Sequence, residues 1–225
     1  MSSPADQTAA DHPALRADAE RNRCRIVEAA RQVFAEQGLD APMNEVARRA
    51  EVGIATLYRR FPTREDLITS VFAEKMSAYA NAIEQALADP DPWRGFCTYI
   101  ERVCAMQAED HGFTEVLTLT FPTAKTFEAK RSEAYRGFAQ LIARAKDTGR
   151  LRPDFSPEDL VLLLMANAGV VAATAGTAPD AWRRLVAYMT QAFAADHTDP
   201  LPPAPTGTLL YQAMLRLSGK NRTGG

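Results

Sequence analysis

The sequence predicts an all-α protein: an N-terminal three-helix domain holding a helix-turn-helix, followed by a helical body of about six helices. Three observations carry this. Apolar residues recur at three- and four-residue intervals along most of the chain, the spacing of one helix face. No stretch alternates apolar and polar residues as a half-buried strand does. The periodic stretches are punctuated by capping residues, glycines and prolines. At 225 residues and 46% hydrophobic, the chain can bury a sizeable core in one or two domains.

Residues 1–19, rich in Ala, Asp and Pro without periodicity, are expected to form a disordered arm. They hold acids and no apolar block, so no secretory signal is expected there. From Arg21, the residues Ile26, Val27, Ala30, Val33 and Phe34 make one face of a first helix, stopped by Gly38 as a left-handed cap. Pro42 sits where a first turn tolerates it, before a short helix with Val46, Ala47 and Ala50 inward. In "EVG", Gly53 is read as the residue taking positive φ. The next helix buries Leu57 and Phe61 and ends at Pro62. Thr63 and Asp66 form a capping pair for a long helix reaching about Ala88.

Beyond "DPDP", helices are expected from Trp93 to about Glu109, from Phe113 to before Pro122, and over roughly 124–148, closed by Gly149. "SPEDL" at Ser156 starts a helix to about Ala175, with serine as cap and acids facing the helix dipole. A last body helix spans roughly 179–195. The domains are therefore read as an arm (1–19), a helix-turn-helix domain (20–66), a body (67–195), and a proline-rich linker with a short C-terminal helix or tail (196–225). That tail either docks on the body or stays mobile, or binds a partner.

Charge is unevenly spread. Between Arg21 and Arg64 nine arginines face five acids, a local surplus of +4 in a chain of net charge −2. A basic first quarter on an acidic body suggests one surface that faces phosphate. The longest apolar run, residues 160–176, is interrupted by Asn167 and glycines, so no membrane span is expected. Cys24, Cys97 and Cys104 are too few and scattered for a disulfide framework, which fits a reducing cytoplasm. His12, His111 and His197 show no metal-ligand spacing. No nucleophile–base set or Gly-rich phosphate loop appears, so an enzyme is not expected, and neither is a cofactor.

The stretch "MNEVARRAEVGIATLYRRFPTREDL" joins two short helices through a tight turn, and in such a motif the second helix enters the major groove. With Leu57 and Phe61 inward, Ala55, Thr56, Tyr58, Arg59 and Arg60 face outward. Small Ala55 permits close approach, Thr56 and Tyr58 offer hydroxyls, and Arg59 or Arg60 could bond guanine O6 and N7.

From "IVEAARQVFAEQGLDAPMNEVARRAEVGIATLYRRFPTREDL" the chain resembles the DNA-binding domain of TetR-family transcriptional regulators. The helices of the remainder look similar to that family's ligand-binding, dimerising body, closest to the SbtR-like subgroup. The resemblance implies phosphate contacts from Thr56, Tyr58, Arg60 and Arg64, and base contacts from Arg59, Ile54 and Ala55. The chain departs from the family's pattern in carrying Gly53 for a capping serine and Ala41 for a backbone-touching threonine. Arg60 and Arg64 stand for histidine and lysine.

The resemblance further implies a cytoplasmic homodimer bound to double-stranded DNA at a near-palindromic operator, with no membrane partner. It implies a seam of Leu160, Leu164, Ala168 and Val171 with Trp182, Leu185, Met189 and Phe193. An effector pocket within the body is expected among Phe72, Met76 and Tyr79, then Phe96, Tyr99, Val103 and Met106, then Phe113, Leu117, Phe138 and Asn167. An apolar, aromatic lining favours a small, largely apolar molecule whose binding releases a repressor from DNA. Two other readings stay open: a DNA-binding dimer that needs no effector, and an all-helical enzyme.

Overall fold

The computed structural model describes residues 11–118, 125–196 and 199–223. Among the described residues ten helices are formed: α1 (Asp11–Gln37), α2 (Met43–Arg49), α3 (Ile54–Arg60), α4 (Arg64–Ala88), α5 (Pro92–Glu109), α6 (His111–Thr118), α7 (Lys125–Asp147), α8 (Pro157–Thr174), α9 (Ala181–Phe193) and α10 (Gly207–Thr223). No strand occurs among the described residues, apart from one isolated bridge between Leu151 and Ala194. The chain divides into two compact units, one ending at Val71 and one beginning at Phe72, a few residues later than the sequence suggested.

In the first unit, Ile26, Ala30, Val33 and Phe34 of α1 are fully buried with Val46 of α2 and Leu57 of α3. Each of these side chains larger than alanine contributes roughly 1.5–3 kcal/mol by leaving water. Gly38 ends α1 at φ 81, with its N–H on Phe34 O, as a left-handed cap requires. Thr63 and Asp66 cap α4 reciprocally: the Asp66 N–H donates to Thr63 Oγ1, and the Thr63 N–H to the Asp66 carboxylate. One expectation is corrected. Residues 11–19 belong to α1, because Ala, Leu and Arg are good helix formers and Pro13 falls in the first turn, where its missing N–H costs no bond. Residues 1–10 of the expected arm lie outside the described residues.

In the second unit α5 is central, packed against α6, α7, α8 and α9. Its N-terminal aspartate, Asp91, accepts from the N–H groups of Trp93 and Arg94. Gly95 is required: a Cβ there would lie 2.4 Å from the carbonyl oxygen of Ala86, so α5 could not approach α4. Phe96 stacks on Phe138 at 5.9 Å and meets the edges of Phe155 and Phe193, making an aromatic cluster at the heart of the body.

The apolar α8 is also a correction. It is long and apolar enough to cross a membrane by length and composition (18 residues, mean hydropathy 1.3), and Asn167 does not disqualify it. Only 22% of it is buried within the chain. Asn167 lies on that buried part, where its Nδ2 donates to Gln107 Oε1 at 2.9 Å and to Cys104 O at 3.2 Å. Gln107 Nε2 in turn donates to Leu164 O. This amide network, rather than a bound molecule, satisfies the Asn167 side-chain donor.

Candidate functional site

The turn between α2 and α3 is built by the end of α2. The Val52 N–H donates to Ala47 O and the Glu51 N–H to Arg48 O, the two bonds of a Schellman closure. Counting from the last helical residue puts Glu51, not Gly53, in the left-handed position, at φ 53. Gly53 is extended (φ −67, ψ 144), caps α3 with no side-chain bond, and has open space where a Cβ would stand. The expectation of positive φ at Gly53 is thus overturned. Arg25 holds the strained turn from α1, donating through Nη2 to Ala50 O (2.7 Å) and to the Glu51 carboxylate (3.1 Å).

Leu57 and Phe61 fix α3 in the core, leaving Ile54, Ala55, Tyr58, Arg59 and Arg60 exposed and Thr56 half-buried, as the motif requires. The arginine surplus then sorts itself. Arg21, Arg23, Arg25, Arg31, Arg48 and Arg49 are each ion-paired with an acid of the same unit. Hydrogen bonds from Arg48 and Arg49 hold the Glu45 and Glu36 carboxyls below their usual range, and the two guanidinium pKa values rise in return. Arg64 donates through Nη1 to Leu39 O and Ala41 O, so it braces the α1–α2 loop. Of the nine arginines between Arg21 and Arg64, Arg59 and Arg60 alone make neither hydrogen bond nor ion pair with a described residue. The unspent positive charge of the first quarter is concentrated at the end of α3.

In the body, a cavity of about 120 Å³ lies among α4, α6, α7, α8 and α10. Of the expected pocket residues, Tyr79, Leu117 and Phe138 line it. Phe72, Met76, Phe96, Tyr99, Val103 and Phe113 do not; they are buried elsewhere in the core. Met106 is half-buried away from the cavity, and Asn167 belongs to the amide network. Leu160, Leu164, Arg131, Tyr135, Tyr211 and Met214 were missed as lining residues. Leu160 and Leu164 had been placed on the dimer seam, and nothing local in the sequence brings the tail residues to this wall. Arg131 donates through Nη2 to Val116 O at 2.7 Å, while its buried Nε has no hydrogen-bond partner. Burial pushes the Cys97 thiol up to about 11 and that of Cys104 to about 12, which makes both inert at neutral pH. Among the described residues no group of three His, Cys, Asp or Glu side chains could hold a metal.

The faces of α8 and α9 also need correction. Leu160, Leu164, Trp182 and Phe193 are buried in the chain's own core and cannot form a seam with a second copy. Ala168, Val171, Leu185 and Met189 are half-buried. The outward faces carry Leu162, Ala166, Gly169, Ala173 and Tyr188.

A turn with Glu51 in its left-handed position, a short helix with two unpaired arginines and a helical body together define a helix-turn-helix transcriptional regulator. Residues 26–71 match the family of bacterial regulatory proteins of the tetR type, and residues 91–192 match the C-terminal domain of SbtR-like transcriptional regulators. The chain belongs to the TetR family, with an SbtR-like C-terminal domain. An HTH-type transcriptional regulator of Staphylococcus aureus (strain USA300) is 34% identical over 76 residues, covering 33% of this chain and 41% of that protein. The chain thus aligns with less than half the length of these curated relatives. Among solved structures, AibR in complex with isovaleryl coenzyme A and operator DNA is 17% identical, with 78% of this chain and 98% of that one covered and a TM-score of 0.58. RolR in complex with resorcinol is 20% identical, covering 84% and 100%, with a TM-score of 0.51. At these identities the two structures share the fold.

Proposed function

We propose that the chain is a homodimeric repressor that binds a near-palindromic operator through α3 and leaves it when a small, largely apolar molecule enters the body. The observation that carries DNA binding is the pair of unpartnered, exposed arginines, Arg59 and Arg60, on a helix held by Leu57 and Phe61. Arg59, with Ile54 and Ala55, is assigned to base edges, and Arg60 with Thr56 and Tyr58 to phosphate. Arg64 keeps a phosphate role through the donors it does not spend on the loop carbonyls. Two copies would pair through the exposed, small-residue face of α8 and through Tyr188 of α9. A two-fold protein then reads two half-sites of opposite orientation. The site of action is the cytoplasm, where the operator lies.

The apolar cavity supports the effector, and the ligands bound by AibR and RolR agree with a body that receives small molecules. Effector binding shifts the population toward a head spacing that misfits the operator. A second reading, an effector-independent dimer, is favoured by one observation: about 120 Å³ is small beside the roughly 300–1,000 Å³ of ordinary ligand sites.

Fluorescence anisotropy on the DNA upstream of the chain's own gene, beside a scrambled fragment, tests the reading. The expected result is preference for the upstream fragment and an affinity that falls steeply with salt. Equal binding to both fragments would reduce the head to a basic surface. For an effector found by screening, calorimetry with and without operator should show weaker binding when DNA is present. Equal affinity would leave the effector-independent dimer.

A further inference from the structure

The helix α10 lies beyond both family-matched segments, 26–71 and 91–192, yet it is built into the body. The chain leading to it is clamped by the α7–α8 connection. Arg152, only 5% exposed, donates to Asp199 O at 2.8 Å and to Ala192 O at 3.2 Å, and pairs with Asp154. Asp154 Oδ2 accepts the Leu201 N–H at 3.0 Å. The start of α10 then meets α8: a Cβ on Gly207 would lie 3.2 Å from the Glu158 carboxylate. One face of α10 carries Leu210 and Met214, four residues apart and both buried. Met214 and Tyr211 form a wall of the cavity.

We propose that α10 is part of the effector site, and that Tyr211 and Met214 limit its guest to a single aromatic ring with one hydrogen-bond acceptor. This rests on the reading of the cavity as the effector site. The size follows from the volume: about 120 Å³ is close to a cavity of roughly 150 Å³ that holds one benzene. The ring follows from the apolar lining by Leu117, Phe138, Leu160, Val161, Leu164 and Met214. The acceptor follows from Arg131, a lining residue whose buried Nε makes no hydrogen bond and has only the Glu128 carboxylate near it, at 4.0 Å. With Met214 and Tyr211 withdrawn, the same site admits larger molecules, so the tail sets specificity in a body whose remaining walls, Tyr79 apart, belong to the family domain.

The full chain is tested with two probes: phenol, followed by saturation-transfer NMR, and the larger N-phenylnaphthylamine, followed by its fluorescence. Phenol should bind the wild type, and Ala134→Leu, which adds volume at a buried lining residue, should weaken it about tenfold or more. The naphthylamine should be excluded by the wild type but bound about tenfold or more tightly by Leu210→Ser/Met214→Ser, and phenol should displace it. Tyr211→Ala, at an exposed wall residue, should give a smaller gain in a chain of unchanged thermal midpoint. This keeps the result readable if the double variant folds poorly. If phenol binding responds to Ala134→Leu while naphthylamine uptake ignores every tail substitution, the effector site stands and the role of α10 is overturned. Naphthylamine taken up but not displaced by phenol overturns it as well. If phenol does not bind the wild type, the reading of the cavity fails and the proposal with it.

Discussion

The two units solve opposite problems with their polar groups. In the first, charge is plentiful and nearly all of it is neutralised in place, so that the two arginines left over, Arg59 and Arg60, mark the proposed DNA-reading surface. In the second, aromatic packing is plentiful, and a small apolar cavity beside it is the proposed effector site. Each proposed site is what the packing leaves unused: donors in the head, volume in the body. A count of arginines or of aromatic residues would have pointed to neither.

Four substitutions or conditions sharpen the contrast. The largest effect is expected for Leu57→Ala, which removes the fully buried anchor of α3; urea unfolding of the first unit should show a loss of about 2–5 kcal/mol. DNA binding should fall with it while the body's transition stays in place. Retained binding would mean that α3 does not need its core anchor. Next, Asn167→Ala breaks the amide network and leaves Gln107 short of a donor; the body should lose about 1–3 kcal/mol in the same assay. An unchanged midpoint would show that water satisfies Gln107 as well as Asn167 does.

A smaller and opposite effect is expected at Glu51. Glu51→Gly relieves a left-handed residue, worth about 1 kcal/mol, less the loss of the exposed pair with Arg25. Thermal unfolding should show a slight rise in the first unit's midpoint, whereas a fall would assign the Arg25 brace more weight than the strain. The smallest effect concerns pH. The hydrogen bond from Arg152 and then the Leu201 N–H lower the Asp154 carboxyl from 3.8 to about 2. A depressed carboxylate stabilises above its unfolded pKa and loses that contribution as pH falls through the folded one. The tail clamp should therefore hold above pH ~4 and weaken toward pH ~2. Hydrogen exchange of α10 amides should rise over that window in the wild type, and should be raised and flatter in Asp154→Asn.

The same contrast explains what was legible in the sequence. The ends of α1, α4 and α8 were readable because their caps are local: Gly38, Thr63 with Asp66, and Ser156 with Asp159 lie within one turn of what they close. The outward face of α3 was readable because Leu57 and Phe61 set its phase. Glu51 was misread because a glycine two residues on drew the positive φ to itself, although the end of α2 determines the position. The seam on α8 was misplaced because that helix is apolar nearly all round, and such a pattern has no phase to read. The cavity was only partly legible, since its walls come from residues as distant as Tyr79 and Met214. The docking of α10 depends on Arg152 and Asp154 reaching backbone 47 residues away, which no local pattern reports.

The central claim is that paired and unpaired arginines of the head differ in function, and the salt dependence of operator binding tests it most directly. Anisotropy titrations at several salt concentrations would compare the wild type with Arg59→Ala/Arg60→Ala and with Arg48→Ala/Arg49→Ala, two doublets of equal charge. The unpaired doublet should lose about a hundredfold in affinity, with a salt slope shallower by about one for each phosphate contact removed. The paired doublet should keep its slope and lose no more than a few-fold in affinity. Equal losses and equal slopes would show that the head acts only through its net charge, and the account would be wrong.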